Sequence, residues 1–136
     1  MNTIYARLNN KLNLEAKKLE VGFFDTARYP NGVYVAQVAR YQEFGTIHIP
    51  VRPFFRRAIL NNMNNWVSFY KKDLSVSNNS AFSLNRVGEL MRRDIIKSID
   101  AIETPPNKKS TIKAKKSSKP LVDTGLLRRS VTYKVD

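Results

Sequence analysis

The spacing of apolar residues predicts two long helices in the middle of the chain. In residues 54–74 apolar side chains recur every three or four positions, and the same spacing returns between residues 80 and 102. The second pattern predicts one buried face, made of Leu84, Val87, Met91, Ile95, Ile99 and Ile102. The polar residues 76–80 are expected to separate the helices as a loop, with Ser80 as the N-cap of the second helix.

A short helix and a strand are predicted before this pair. Apolar residues at every fourth position from Ile4 to Leu12 predict a helix within residues 1–18. Alternation of apolar residues with other side chains over residues 19–23 predicts a strand. Phe24 falls on the opposite side of that strand, so it needs a second apolar surface, either a packed helix or another subunit.

A third helix and an extended segment are predicted between the strand and the long helices. Residues 35–42 carry a helical apolar face, and Gly45 is placed to end that helix in a left-handed conformation. Pro50 and Pro53 exclude a helix over residues 46–53 and favour an extended backbone. The extended segment therefore sets the direction in which the chain enters the first long helix.

The composition changes in the C-terminal third. Between Pro105 and Pro120 the chain has six lysines and no acidic residue, which predicts a mobile basic loop over residues 103–120. A helical turn over residues 126–129 and a strand over residues 131–135 are expected after it. The predicted fold class is α+β: one domain with a small antiparallel sheet packed by two longer helices, and a long mobile basic loop.

Composition excludes several kinds of site. The chain has no cysteine, which removes disulfides, thiolate nucleophiles and cysteine metal sites, and His48 is its only histidine. It has no glycine-rich phosphate-binding loop, and no apolar run long enough to span a bilayer. We therefore predict that the chain is not an enzyme, that it has no catalytic, cofactor-binding or metal-binding residues and needs no cofactor, and that it does not contact a membrane.

The charge points to an anionic partner without naming it. The 136 residues carry a formal net charge of +13. Three interpretations of the lysine-rich segment stay open: it contacts nucleic-acid phosphates, it contacts acidic partner proteins, or it is only a solvated loop. The segment has no aromatic residue that could stack on unpaired bases. One hypothesis for the whole chain is therefore a small basic protein that binds nucleic acid without sequence specificity.

Three sequence blocks support a different hypothesis. In order, they are VGFF with VAQVA (residues 21–24 and 35–39), EFGT with IPVRPFFR (43–46 and 49–56), and PPN with PLVDTGLLRRSV (105–107 and 120–131). In this order the blocks resemble the family of phage tail-completion and minor-tail proteins that join head and tail. The resemblance covers roughly residues 19–135.

The resemblance implies a structural virion protein of the phage neck or tail. Such a tail-completion or head–tail connector subunit forms a homo-oligomeric ring, often hexameric, that joins the tail to the head. The expected partners are phage neck or connector proteins and tail-tube or tail-terminator proteins, with non-specific contact to packaged DNA where basic residues line the lumen. The expected location is the virion neck or tail, and the host cytoplasm during assembly.

Candidate interface residues follow from these blocks and from the charge. Arg52 and Arg56 are expected to pair either with carboxylates of a neighbouring subunit or with Glu43 of the same chain. Aromatic residues and arginine often dominate protein interfaces, although an aromatic residue on a long helix is more simply a core residue. The candidate interface set is Phe24, Arg52, Phe54, Arg56, Lys108, Lys109, Lys113, Lys115, Lys116 and Lys119.

Overall fold

The computed structural model describes residues 3–6, 17–102 and 125–136, and their fold is α+β as predicted. Its elements in chain order are β1 (Thr3–Ala6), β2 (Lys17–Gly22), α1 (Val35–Phe44), α2 (Phe54–Ser77), α3 (Ser80–Ala101), α4 (Leu126–Arg129) and β3 (Thr132–Val135). The two long helices and both predicted strands are confirmed. The predicted basic loop over residues 103–120 lies outside the described residues.

The three strands form one antiparallel sheet with β2 in the centre. Leu19 of β2 pairs with Ile4 on one side and with Val135 on the other. Leu19 and Val21 are buried, and Phe23 just beyond the strand continues the same buried row. The alternation that predicted this strand therefore marks the side of the sheet that faces the core.

The prediction of an N-terminal helix is wrong for residues 3–6, which form strand β1. Their backbone pairs in an antiparallel register with residues 17–20. A stripe of three apolar residues is a weak signal for a helix, since a short helix is marginal on its own. Pairing with the free edge of β2 overrides it, and residues 7–16, where the rest of that stripe falls, lie outside the described residues.

Helix α3 is the central element of the core. All six residues predicted for its buried face are buried. The helix packs on β2 and β3 with one side and on α2 with another, so it separates the sheet from α2. Gly88 allows the close contact with β3, because a Cβ atom there would lie 2.5 Å from the ring of Tyr133. The arrangement leaves the far side of α2 exposed.

The connection between the long helices is shorter than predicted. α2 continues through residues 76 and 77, so the expected loop over residues 76–80 is reduced to Asn78 and Asn79. Asn78 adopts a left-handed conformation with φ 52°. Asn79, not Ser80, is the N-cap of α3, because its side chain accepts a hydrogen bond of 3.0 Å from the backbone N–H of Phe82.

Two acidic residues of α3 tie the core together. Asp94 accepts a hydrogen bond of 2.7 Å from Nε1 of Trp66 in α2. Asp100 accepts two hydrogen bonds, of 2.7 and 2.9 Å, from the guanidinium of Arg128 in α4. This bidentate pair fixes α4 against α3, and it positions the start of β3.

Candidate assembly site

The backbone reverses direction sharply after α1, and the following loop is braced by its own hydrogen bonds. Gly45 has φ 76°, and a Cβ atom there would lie 2.8 Å from Cγ2 of Val51. The backbone N–H of Thr46 donates to the carbonyl of Ile49 at 2.8 Å. The backbone N–H of Arg52 donates to the carbonyl of Gln42 at 2.7 Å and closes the base of the loop.

Glu43 fastens this loop to the start of α2. Its carboxylate accepts hydrogen bonds of 2.9 Å from the backbone N–H groups of Phe55 and Arg56, and a third of 2.9 Å from Nε of Arg56. The N-cap position of α2 is Pro53, whose side chain makes no capping hydrogen bond. Glu43 therefore caps α2 from a distance of ten residues in sequence, and its negative charge lies at the positive end of the helix dipole.

The loop held in this way exposes apolar side chains. We define the apolar loop as residues 44–51. Phe44 is 62% exposed, Ile47 is 97% exposed and Val51 is 47% exposed. The guanidinium carbon of Arg56 lies 5.1 Å from the centroid of the Phe44 ring, so even this exposed ring has a defined place. Several exposed apolar side chains on one hydrogen-bonded loop are the kind of surface that a partner covers.

A cleft of about 740 Å³ lies beside the apolar loop. Apolar side chains from the end of β2, from α1 and from the start of α2 line it, among them Phe23, Ala39, Phe55 and Ile59. Asp25, Tyr34, Gln37 and Arg40 supply polar groups at the same cleft. Its size and mixed lining suit a short apolar segment with a few polar contacts.

The structure separates the predicted interface residues into different environments. Phe54 is 0% exposed and packs edge-on against Phe23, so it is a core residue of this chain, and its part in an interface stays a prediction. Arg52 is buried, and its Nη1 donates to Oε1 of Gln42 at 2.8 Å. Burial lowers the pKa of the Arg52 guanidinium. Of the two expected pairings with Glu43, the structure contains the one made by Arg56.

The remaining predicted residues are less constrained. Phe24 is half-buried, and Nζ of Lys134 lies 5.0 Å from the centroid of its ring, so part of the second surface that it needs is a lysine of β3. Its part in an interface stays a prediction. All six lysines of the candidate set, Lys108, Lys109, Lys113, Lys115, Lys116 and Lys119, lie outside the described residues.

Sequence reasoning missed the exposed residues Phe44, Ile47 and Val51. The available signal was the position of Ile47 and Val51 in the segment around Pro50 and Pro53, where no helix can form and an apolar side chain has no helical neighbour to pack on. Phe44 is the last residue of α1. It also missed the capping role of Glu43, although it named Glu43 as a partner for arginine. A cap that acts on a helix ten residues away leaves no local pattern.

Two other kinds of feature were sought among the described residues, a cluster of metal ligands and a membrane-spanning helix. Within residues 3–6, 17–102 and 125–136, no three His, Cys, Asp or Glu side chains lie close enough to share a metal ion. None of the helices described is both long and apolar enough to cross a bilayer. Comparison of the chain with family models, curated proteins and solved structures gives no match.

Replacing Gly45 with alanine is expected to lower the free energy of unfolding by about 2–3 kcal/mol. The positive φ costs about 1–3 kcal/mol in a residue with a side chain, and the new methyl group would overlap Val51. Urea unfolding followed by the fluorescence of Trp66, the only tryptophan, measures the change. Gly32→Ala is the matched control, because Gly32 has φ 87° but nothing within 4 Å of the new methyl group. Equal losses in the two variants would show that the close contact with Val51 has no energetic role.

Proposed function

We propose that this chain is a structural virion protein of the phage neck or tail, a tail-completion or head–tail connector subunit that forms a ring. In this proposal the apolar loop, residues 44–51, is a contact between subunits. The second of the three sequence blocks that resemble the family builds this part of the molecule, since its EFGT half contains Glu43 and its IPVRPFFR half contains the backbone N–H groups that Glu43 binds. The resemblance and the geometry thus concern the same residues.

The observation that carries the proposal is a hydrogen-bonded loop with an almost fully exposed isoleucine at its tip. Ile47 is 97% exposed, and hydrogen bonds from its neighbours to Oγ1 of Thr46, of 3.2 Å from His48 and 3.0 Å from Ile49, hold the backbone around it. Burying an isoleucine side chain is worth about 1.5–3 kcal/mol. A loop that is already ordered loses little conformational entropy on binding, so most of this gain is available to an assembly contact.

The relation between loop and cleft supports a contact between subunits. Both lie on one chain, but residues 46–51 do not line the cleft, so a subunit does not fill its own cleft with its own loop tip. A loop of one subunit that enters the cleft of the next makes a heterologous contact when the second subunit does not return it, and a twofold dimer when it does. Repeated heterologous contacts close into a ring when the rotation between subunits allows it.

Ile47→Asp tests this proposal. We expect the variant to fold normally and to weaken self-association or binding to the neck and tail partners at least about thirtyfold, because it places a charge in the proposed contact. Sedimentation velocity over a range of concentrations measures the association. Val76→Asp is the matched control, since Val76 is 83% exposed but lies at the other end of α2.

Two outcomes oppose the proposal in different ways. If Ile47→Asp and Val76→Asp associate as the unmodified chain does, the apolar loop is not an assembly contact. If the unmodified chain stays monomeric with neck and tail extract but binds duplex DNA with a steep salt dependence, the alternative of a small basic nucleic-acid-binding protein replaces the connector.

A further inference from the structure

Helix α2 has a long outer stripe that faces away from the rest of the described fold. Residues 57, 61, 64, 68, 71 and 72 lie within one third of the helix circumference, at spacings of three, four or one residue. All six are exposed, whereas Trp66 on the opposite side packs toward α3. We call these residues the outer stripe: Arg57, Asn61, Asn64, Ser68, Lys71 and Lys72.

The cations of the outer stripe have no carboxylate partner among the described residues, whereas several other cations do. Arg56 pairs with Glu43, Arg86 with Asp73, Arg92 with Glu89 and Arg128 with Asp100. The side chains of Arg57, Lys71 and Lys72 make neither an ion pair nor a hydrogen bond with any residue that the structure describes. Their full charge is therefore directed to solvent.

No acidic residue interrupts this charge. The one acid of α2 is Asp73, and its carboxylate is turned to α3, where it accepts a hydrogen bond of 2.7 Å from Ser83 and pairs with Arg86 at 3.2 Å. Between the cations lie only neutral donors, Asn61, Asn64 and Ser68. Arg57 and Lys71 are fourteen positions apart, which is about 21 Å along the helix axis.

We propose that the outer stripe of α2 binds the phosphate backbone of duplex DNA without sequence specificity. Arginine, lysine, asparagine and serine are the side chains that donate to phosphate oxygens, and the charge of the stripe is complementary to that of DNA. Interfaces between proteins are depleted in lysine and enriched in aromatic residues, and the stripe has the opposite composition. It has no aromatic residue for stacking on unpaired bases, which favours a duplex over a single strand.

The role of this DNA contact in a virion rests on the proposed function. A connector ring surrounds packaged DNA, so the outer stripe identifies the side of each subunit that faces the channel. DNA binding by the stripe does not itself depend on ring formation. The two ideas can therefore fail separately.

Fluorescence anisotropy with a duplex of about 30 base pairs tests the inference at several salt concentrations. The variant Lys71→Gln/Lys72→Gln removes two charges from the outer stripe, and the control Arg93→Gln/Lys97→Gln removes two exposed charges from α3. We expect the α2 variant to bind at least about tenfold more weakly and to reduce the slope of log affinity against log salt by about two. The α3 variant should bind within about threefold of the unmodified chain.

Equal losses in the two variants would overturn the inference, because only total charge would then matter. It would also be overturned by tighter binding to a single strand, or by polyglutamate displacing the duplex as well as unlabelled DNA does, which would indicate an acidic protein partner. Sedimentation velocity of the Lys71→Gln/Lys72→Gln variant separates the two proposals. We expect its association to match that of the unmodified chain, whereas failure of the connector proposal would appear as a monomeric unmodified chain.

Discussion

Replacing Glu43 with alanine is expected to lower the free energy of unfolding by about 2–3 kcal/mol and to abolish assembly. The substitution removes the acceptor for the backbone N–H groups of Phe55 and Arg56 and leaves the guanidinium of Arg56 without its carboxylate. Losing a helix cap costs about 0.5–2 kcal/mol, and leaving a buried donor unsatisfied costs about 1–3 kcal/mol. Because Glu43 also holds the apolar loop against α2, the loop should lose its fixed conformation.

Urea unfolding and sedimentation velocity measure the two effects of Glu43→Ala. Glu89→Ala is the control for removing an exposed carboxylate, since Glu89 only pairs with Arg92 at 3.6 Å on the surface of α3, and we expect a loss below about 0.5 kcal/mol. Glu43→Gln keeps a neutral acceptor, so its loss in the free energy of unfolding should lie between those of Glu43→Ala and Glu89→Ala. A Glu43→Ala variant that assembles normally would show that the loop does not need its cap.

The second large effect is expected from Trp66→Ala, which should lower the free energy of unfolding by about 3–5 kcal/mol. Trp66 is the largest fully buried side chain, and it joins α2 to α3 through its ring and through the hydrogen bond from Nε1 to Asp94. Removing the ring leaves a cavity between the helices and an unsatisfied carboxylate. Far-UV circular dichroism during urea unfolding measures the change, because the variant lacks the only tryptophan.

Val67→Ala provides the comparison for Trp66→Ala on the neighbouring position of the same helix. Val67 is partly exposed, so its truncation should cost less than about 1 kcal/mol. A similar cost for the two variants would mean that the contact between α2 and α3 does not dominate the core. Such a result would also contradict the central place of α3 between sheet and helix.

The long helices were predictable because each signal for them is local and repeated. The buried face of α3 is set by six apolar residues at regular helical spacing, so misjudging one of them does not change which face of the helix is predicted to be buried. Capping is decided by one or two atoms, so adjacent polar residues compete, and Asn79 takes the position predicted for Ser80. Strand β1 was not predictable from a local pattern, because it forms by pairing with β2, and residues 7–16 separate the two strands in sequence.

The candidate site was predictable in its parts and not in its assembly. The end of α1 at Gly45 was expected from residue types, and the pairing of Arg56 with Glu43 was one of the two pairings left open. The extended backbone predicted for residues 46–53 is wrong for residues 47–49, where the chain bends. The backbone N–H groups that Glu43 also binds belong to residues twelve and thirteen positions away. Only the folded backbone brings them together, and only that arrangement reveals that the segment between them exposes Ile47.

The most direct test of the connector proposal is the native mass spectrum of the purified chain at moderate salt, with and without neck and tail extract and with and without duplex DNA. We expect one discrete multimer, formed by the chain alone or only with the extract, and a subunit number that does not depend on DNA. A chain that remains monomeric in every mixture without DNA, and whose mass changes only by the addition of DNA, would contradict assembly through the apolar loop.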